Sequence, residues 1–252
     1  MTTNQAIQDA AEIIISSKYI VAMTGAGIST PSGIPDFRSP HSGLWDQVDP
    51  LEVASIYAFR QNPRIFYDWI HPLSRSVLEA KPNPAHYALV ELERQGKLRA
   101  IITQNIDDLH SKAGSQTLFE LHGHLRDVTC IQCYRVQDSS AIFEKFVEDG
   151  RTPTCRHCGG VLKPNVIFFG EQLPMQEFVS AQLAIKNADL IIVVGSSLEV
   201  APASDLPEVA LENGAKLIII NHQPTFLDSR ADVIVRGDIA ELLPQIVVLT
   251  TV

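Results

Sequence analysis

The fold of this chain is decided first by residues 19–29, which read YIVAMTGAGIS. The apolar run at 19–23 is short and unbroken, which predicts a buried β-strand. It leads into a turn containing Gly25 and Gly27, where backbone N–H groups and a helix dipole can face a pyrophosphate. A plain turn gives the same G-x-G pattern. Moreover, the third glycine of a dinucleotide fingerprint is missing, since Thr30, Pro31 and Ser32 follow Ser29, so an ordinary dehydrogenase motif is incomplete.

Short apolar runs of this kind recur along the rest of the chain. Runs of three to five apolar residues, separated by stretches with helical spacing, are typical of a parallel sheet covered on both faces. We therefore predict a doubly wound α/β fold, which binds ligands at the carboxyl ends of its strands. The further predicted strands are 100–103, 166–169, 190–194, 217–221 and 233–235, and the predicted helices are 5–17, 85–95, 177–186 and 203–212.

Two stretches interrupt this alternation. Residues 39–80 contain prolines, aromatic residues and helical patches but no buried strand, and residues 126–164 contain all four cysteines. We predict that both are insertions that form a smaller second domain. The sheet domain then consists of 1–38, 81–125 and 165–252.

The cysteines predict a metal site. They form Cys130-x-x-Cys133 and Cys155-x-x-Cys158, with 21 residues between the pairs. Two such turns place four thiolates at the corners of a tetrahedron, as in a zinc ribbon. Disulfides are disfavoured inside most cells, and a redox dithiol needs only one C-x-x-C. Because four sulfur ligands leave no open coordination position, the predicted zinc is structural.

The composition limits the classes of partner. The 252 residues carry 20 Lys and Arg against 29 Asp and Glu, a net charge of −9, which argues against a general affinity for nucleic acid or anionic membranes. The apolar runs are too short to span a bilayer, and no basic residue precedes the first apolar positions as in a secretory signal. We therefore expect a cytoplasmic protein. A monomer is compatible with the sequence, which does not predict the oligomeric state.

Further short motifs follow in a fixed order. They are GIPDFR at 33–38, TQNID at 103–107, LHG at 121–123, KPNVIFFGE at 163–171 and GSSL at 195–198. Together with GAGIS at 25–29 and the two C-x-x-C pairs, they resemble the sirtuin family, the NAD-dependent protein lysine deacylases, over nearly the whole chain. The resemblance implies a Rossmann-like large domain and a small domain made of a helical insertion and a zinc ribbon.

The resemblance also implies an NAD site built from several loops. His122 would be the general base, and Asn105 and Asp107 would act with it beside the ribose. The last two residues equally suit the capping of a helix that starts near residue 108, and both roles can hold together. The complete predicted NAD-binding set is Gly25, Ala26, Ile28, Asp36, Phe37, Arg38, Gln104, Asn105, Asp107, Gly195, Ser196, Ser197, Asn221, Asp238 and Ile239.

A second implied site takes the acylated protein. A tunnel for acyl-lysine would be lined by Val166 and Phe168. The substrate peptide would add as a β-strand, flanked by Gly170, Glu171, Leu198 and Val200. The predicted substrate-binding residues are Val166, Phe168, Gly170, Glu171, Leu198 and Val200.

The implied reaction is NAD-dependent protein lysine deacetylation, with NAD as co-substrate. The acetyl group passes to ADP-ribose, and nicotinamide and O-acetyl-ADP-ribose are released. Relatives that remove succinyl groups carry Tyr-x-x-Arg in the helical insertion. Here Ile70 stands three residues after Tyr67, in the position of that arginine. A carboxylate in a partly buried pocket needs a cationic partner. We therefore predict acetyl over succinyl, with Arg64 and Arg75 as possible substitutes for the missing arginine.

Other functions use the same pocket. A protein ADP-ribosyltransferase would activate NAD in the same way, and a non-catalytic NAD or ADP-ribose sensor would need the pocket but not His122. A hydride-transfer dehydrogenase is disfavoured by the incomplete glycine motif and the zinc ribbon.

Overall fold

The computed structural model describes residues 2–37, 43–46 and 48–251. The strands of these residues form two separate sheets, one with six strands and one with three. In chain order the strands are β1 (Ile20–Thr24), β2 (Leu98–Thr103), β3 (Leu118–Glu120), β4 (Gly123–Cys130), β5 (Val136–Asp138), β6 (Leu162–Val166), β7 (Leu190–Val194), β8 (Lys216–Ile220) and β9 (Val233–Val235).

The larger sheet is parallel and confirms the doubly wound, Rossmann-like prediction. Its strand order is β3-β2-β1-β7-β8-β9, so the direction in which strands are added reverses between β1 and β7. Thr24, the last residue of β1, pairs with Thr103 on one side and with Val194 on the other. The carboxyl ends of the central strands are therefore level, and the reversal opens a crevice there in which such folds bind ligands.

Helices cover both faces of this sheet. In β7, Leu190, Ile192 and Val194 join the apolar core on one face, and Ile191 and Val193 join the core on the other, because successive side chains of a strand point to opposite faces. The first face packs against α1, α5 and α10, and the second against α8 and α9. The helices are α1 (Thr3–Ser16), α2 (Pro50–Val53), α3 (Ile56–Gln61), α4 (Pro63–Glu79), α5 (Pro84–Arg94), α6 (Leu109–Ala113), α7 (Ser140–Asp149), α8 (Met175–Asn187), α9 (Leu206–Glu212) and α10 (Ile239–Val248).

The two predicted insertions pack on each other. The cysteine-containing stretch forms an antiparallel sheet with the order β5-β4-β6. Along the chain, α7 follows β5. Phe59, Phe66 and Tyr67 of the helical insertion share one buried cluster with Phe146 of α7 and with Phe168. Because this core draws on both stretches, they form a single small unit beside the large sheet.

One predicted strand is wrong. The run at 166–169 was expected in the parallel sheet, but the strand is Leu162–Val166 and pairs antiparallel with β4. Leu162 and Val166 are buried while Lys163 is only partly so, the one-sided burial of an antiparallel strand. The parallel sheet instead contains Leu118–Glu120, an edge strand whose half-buried residues give no apolar run.

None of the helices formed by the described residues combines the length and apolarity needed to cross a lipid bilayer.

A pair of histidines is buried close to the end of β1. His86 and His110 are 0% and 2% exposed, with ring centroids 4.9 Å apart. Nε2 of His110 lies 2.9 Å from Oγ1 of Thr24, and Nδ1 of His86 accepts the backbone N–H of Asn83. Burial lowers the pKa of His86 to about 4 and the pKa of His110 to about 3. Both rings are therefore neutral at physiological pH.

This pair should make the fold sensitive to acid. Between pH 6.5 and about 4 the unfolded chain protonates both rings while the folded chain does not, so the free energy of unfolding falls as the pH falls. From pH 7.5 down to pH 5 we expect a loss of about 2 kcal/mol per histidine. Urea unfolding at pH 7.5 and pH 5 measures the loss. His110→Gln should show a smaller loss than wild type or the exposed control His222→Gln, and equal losses would contradict the assignment.

Candidate active site

The glycine turn after β1 packs directly against the loop after β7. The backbone N–H of Gly27 donates to the carbonyl of Gly195 over 2.8 Å. A Cβ on Gly25 would stand 2.8 Å from that same carbonyl oxygen, and Gly195 has a φ of +62°. Any side chain at these positions would push the loops apart or strain the backbone. The glycines therefore allow the two loops to pack closely against each other at the crevice between β1 and β7.

A buried polar network fixes this turn to the loop after β2. The Ser29 hydroxyl donates to Oδ2 of Asp107 over 2.6 Å, and Nδ2 of Asn105 donates to Ser29 Oγ and to the carbonyl of Gly25, each over 3.1 Å. Oδ1 of Asp107 accepts the backbone N–H of Leu109, at the start of α6. Asp107 therefore accepts a backbone N–H from the first residue of α6 and also belongs to the network beside the glycine turn. Burial raises its pKa, which hydrogen bonds from Ser29 and Leu109 partly oppose.

Ser29 was not among the predicted site residues, although it lies in the quoted GAGIS motif. The signal that could have found it is a hydroxyl one turn beyond a G-x-G, but only the fold shows that it meets Asn105 and Asp107.

His122 follows β3 and lines the same cavity. Its Nδ1 lies 3.0 Å from the carbonyl oxygen of Gln104. A carbonyl only accepts hydrogen bonds, so Nδ1 carries the proton and the lone pair of the neutral ring is on Nε2. The backbone carbonyl of His122 accepts the N–H of Ile167 over 2.8 Å, which ties the histidine to the segment predicted to bind acyl-lysine.

The predicted site residues meet in one cavity of about 1560 Å³ at the carboxyl ends of the strands. This volume is larger than the roughly 300–1,000 Å³ of a typical small-molecule site, and the cavity is lined by both predicted sets. The predicted residues that line it are Gly25, Ala26, Asp36, Phe37, Gln104, Asn105, Asp107, His122, Val166, Phe168, Gly170, Glu171, Gly195, Ser196, Ser197, Val200, Asn221 and Ile239.

Four predicted residues are not placed at the cavity. Ile28 and Leu198 are buried in the two cores of the large sheet. Asp238 caps α10 by accepting the N–H of Ala240 over 2.8 Å. Arg38 lies outside the described residues. The roles of these four, like those of the residues that line the cavity, stay predictions.

An aromatic wall on one side of the cavity was not predicted. Trp45 stacks between Phe37 and Trp69, with ring centroids 5.0 and 5.3 Å away, and its edge faces Phe169 at 6.2 Å. These rings come from the segment after Asp36, from α4 and from the segment after β6. The sequence gives no signal for this contact, because the residues are distant along the chain and follow no motif.

The four cysteines form a compact cluster, as predicted. Their Sγ atoms all lie within 4.8 Å of one another, and Cys130–Cys158 and Cys133–Cys155 are 3.5 and 3.8 Å apart. A zinc–sulfur distance of about 2.3 Å gives sulfur–sulfur edges of about 3.8 Å in a tetrahedron, whereas a disulfide bond measures about 2.05 Å. The donor set and spacing therefore fit zinc.

Backbone groups of the second knuckle also favour the thiolate form of Cys155, the form that zinc requires. The backbone N–H groups of His157 and then Cys158 donate to Cys155 and lower its pKa to about 6. A thiol with a lowered pKa gives up its proton to a metal more readily.

The fold and site together define a class of protein: a Rossmann-like dinucleotide-binding protein with a four-cysteine zinc ribbon. The switch-point crevice and the glycine turn packed at its mouth fit a dinucleotide such as NAD.

Comparison with known proteins gives the family. The model of the Sir2 family matches residues 25–202. A relative from Archaeoglobus fulgidus, named NAD-dependent protein deacylase 2, is 48% identical over 96% of this chain and 94% of its own length. The NAD-dependent protein deacetylase of Sulfurisphaera tokodaii is 46% identical over 94% of this chain and 92% of its own. The chain therefore belongs to the Sir2 family, which confirms the resemblance to sirtuins.

Solved structures agree with this assignment. A Sir2 enzyme structure superimposes with a TM-score of 0.92 at 46% identity and covers 98% of both chains. Sir2Af2 bound to a myristoylated histone peptide has a TM-score of 0.85 at 42% identity, covering 98% of this chain and 97% of that one. A Sir2 variant with a deacetylated p53 peptide and 3′-O-acetyl-ADP-ribose has a TM-score of 0.90 at 37% identity, covering 95% and 96%.

Proposed function

We propose that this protein is an NAD-dependent protein lysine deacetylase that releases nicotinamide and O-acetyl-ADP-ribose. The observation that carries the proposal is that one cavity is lined by the glycine turn, by His122 and by the predicted acyl-lysine residues Val166 and Phe168. Relatives named NAD-dependent deacetylases or deacylases support the activity. A related structure that holds a deacetylated peptide with 3′-O-acetyl-ADP-ribose supports the products.

The residues that would hold NAD are those that close the crevice. The backbone of the Gly25–Gly27 turn would lie against the pyrophosphate, since glycine leaves it uncovered by side chains, and Ser196 and Asn221 line the adjoining part of the cavity. Bound NAD supplies an electrophilic ribose carbon when its nicotinamide leaves. Phe37 would then exclude water from that carbon, because its ring lies on the cavity wall and stacks on Trp45.

His122 would act as the general base of the reaction. Its Nδ1–H donates to the Gln104 carbonyl, so Nε2 is the ring nitrogen that would accept a proton from a ribose hydroxyl.

The acyl-lysine would enter beside the segment that follows β6. Val166 and Phe168 would line its tunnel. Gly170 and Glu171 on one side, and Leu198 and Val200 on the other, would flank the substrate peptide as an added strand. Of the four flanking residues, all but Leu198 line the cavity.

The structure offers no free counterpart for a succinyl carboxylate at the positions the sequence suggested. Tyr67 is 1% exposed and donates its hydroxyl to the carbonyl of Leu162. Arg64 and Arg75 are exposed on α4 and pair with Asp68 and Glu79 on the same helix.

We therefore expect acetyl-lysine peptides to be cleaved at least about tenfold more efficiently than succinyl-lysine peptides, because an unpaired carboxylate in a partly buried site costs more than about 1.4 kcal/mol. The measurement is kcat/KM for the same peptide carrying either group at saturating NAD. Faster cleavage of the succinyl peptide would show that a cation, such as Lys112 or Arg126 on the cavity wall, does serve the carboxylate.

A longer neutral acyl group is a second candidate substrate. Part of the cavity lining is apolar: it includes Ile70, Leu73 and Val77 of α4 together with Leu125 and Phe143. The relative Sir2Af2 has been solved with a myristoylated peptide. Parallel assays with acetyl, decanoyl and myristoyl peptides test this candidate, and no cleavage beyond acetyl would reject it.

The test of the main proposal is mass spectrometry of an acetyl-lysine peptide incubated with and without NAD. NAD-dependent loss of one acetyl group, with O-acetyl-ADP-ribose, is the expected result. ADP-ribose attached to protein or peptide without loss of acetyl would instead identify a transferase, and NAD binding without turnover of any acyl peptide would identify a sensor.

We also propose the division of the chain that the sequence suggests. The NAD-binding domain would comprise 1–38, 81–125 and 165–252, and the small domain 39–80 and 126–164. A cytoplasmic location, a monomeric state and the absence of nucleic-acid and membrane partners stay predictions.

A further inference from the structure

A lysine ammonium lies behind the proposed acyl-lysine tunnel. The side chain of Lys163, on β6, is only 12% exposed. Its Nζ donates to the carbonyl of Val166 over 2.7 Å and to that of Pro164 over 3.2 Å. The ammonium also lies 4.3 Å from the ring centroid of Phe168, a cation–π contact. This one group therefore touches both residues proposed to line the tunnel.

Glu171 completes the arrangement from the other end of the segment. Its Oε2 lies 2.9 Å from Lys163 Nζ and accepts the backbone N–H of Phe168 over 2.8 Å. The ion pair thus joins the two ends of the segment 163–171. Glu171 holds the backbone of Phe168, and Lys163 contacts its ring.

The free-energy cost of burying this ion pair indicates a role other than stabilising the fold. Burying an ammonium and a carboxylate loses hydration that their attraction barely offsets, and apolar residues of similar size are often as stable. Here the pair fixes the geometry of the residues that follow β6, which ends at Val166 and no longer holds them by strand pairing. The contacts of Lys163 described above all fall within residues 164–171, so its influence falls on the tunnel side of the cavity.

We propose that Lys163, paired with Glu171, is a positioning residue for the acylated substrate. It holds the Val166 carbonyl and the Phe168 ring in the geometry that receives acyl-lysine. The inference rests on the proposed deacetylase function. It requires that losing the ammonium weakens acyl-peptide binding while NAD binding is kept.

The experiment compares Lys163→Met, Lys163→Arg and the matched control Lys145→Met with wild type. Lys145 is exposed on α7 of the same small unit. Acetyl-peptide Kd is measured by fluorescence anisotropy without NAD, followed by KM for peptide, KM for NAD, kcat and the melting temperature.

Lys163→Met should raise the peptide Kd and KM about tenfold, the equivalent of about 1.4 kcal/mol, with KM for NAD within about twofold. Lys163→Arg should recover most of the loss, since a guanidinium keeps the charge and donors, and Lys145→Met should match wild type.

Several results would overturn the proposal. Unchanged peptide binding in Lys163→Met would do so, as would equal increases in both KM values with a lower melting temperature, which indicate a purely structural role. If Lys163→Met does not fold, Glu171→Gln tests the same pair, because it keeps an acceptor for the Phe168 N–H and removes the charge. It should raise the peptide Kd about threefold, and no rise would reject the pair. Wild-type protein that consumes no acetyl peptide would refute the proposed function itself, which is a distinguishable outcome.

Discussion

The His122→Ala variant is expected to lose at least about 10²-fold of its NAD-dependent deacetylation. The substitution removes the imidazole whose Nδ1–H is held by the Gln104 carbonyl, and with it the proposed base for the ribose proton. NAD should still bind, because the glycine turn and the Ser29–Asn105–Asp107 network do not depend on this ring. Steady-state kcat for an acetyl-lysine peptide and NAD affinity by calorimetry measure the two effects separately.

A suitable control removes an imidazole elsewhere. His157 is exposed in the second zinc knuckle, and His157→Ala keeps the backbone N–H that donates to Cys155. Its activity should match wild type. Equal activity in His122→Ala would exclude the general-base role. If the wild-type protein binds NAD but turns over no acyl peptide, and the substitution changes nothing, a sensor becomes the better description.

Removing zinc is expected to unfold the small unit. Cys130 and Cys155 are part of a small apolar cluster with Val128 and Leu162, so the metal ligands are also the core. In small zinc modules the apparent metal-binding free energy is about 10–16 kcal/mol, and it is folding free energy. Without the metal this cluster is too small to hold β4, β5 and β6 together.

Hydrogen exchange with and without a strong zinc chelator measures this effect residue by residue. Amide protection should be lost across 123–166 and kept in β1 and β7, and the melting temperature should fall. Deacetylation should be lost as well, because Val166, at the end of β6, is a proposed wall of the tunnel. Cys155→Ser should reproduce the chelator's effect. An unchanged melting curve after zinc has been removed would contradict a structural role.

Much of the large domain could be predicted from local patterns. The predicted strands 190–194 and 233–235 coincide with β7 and β9, because a strand buried on both faces must be apolar at every position. The run at 166–169 misled for the same reason: Val166, Phe168 and Phe169 are apolar because they pack against the helical insertion and line a cavity, not because they form a central strand. An apolar run records burial, but it does not record what buries it.

The sequence by itself determined the features that are coded by neighbouring residues. These are the doubly wound sheet, the glycine turn at 25–27 and the two C-x-x-C knuckles, whose spacing matches the tetrahedral cluster. Each depends on periodicity, backbone freedom or ligand geometry within a few residues, so it can be read locally.

Only the tertiary structure decided which distant groups meet. It places the Ser29 hydroxyl on Asp107, stacks Trp45 on Trp69, and sets Lys163 between Val166, Phe168 and Glu171. No local rule predicts such contacts, because they depend on how two sheets and an insertion pack together. The chain fixes the parts of the site, and the packing of the small unit against the large sheet fixes the distances at which those parts can act.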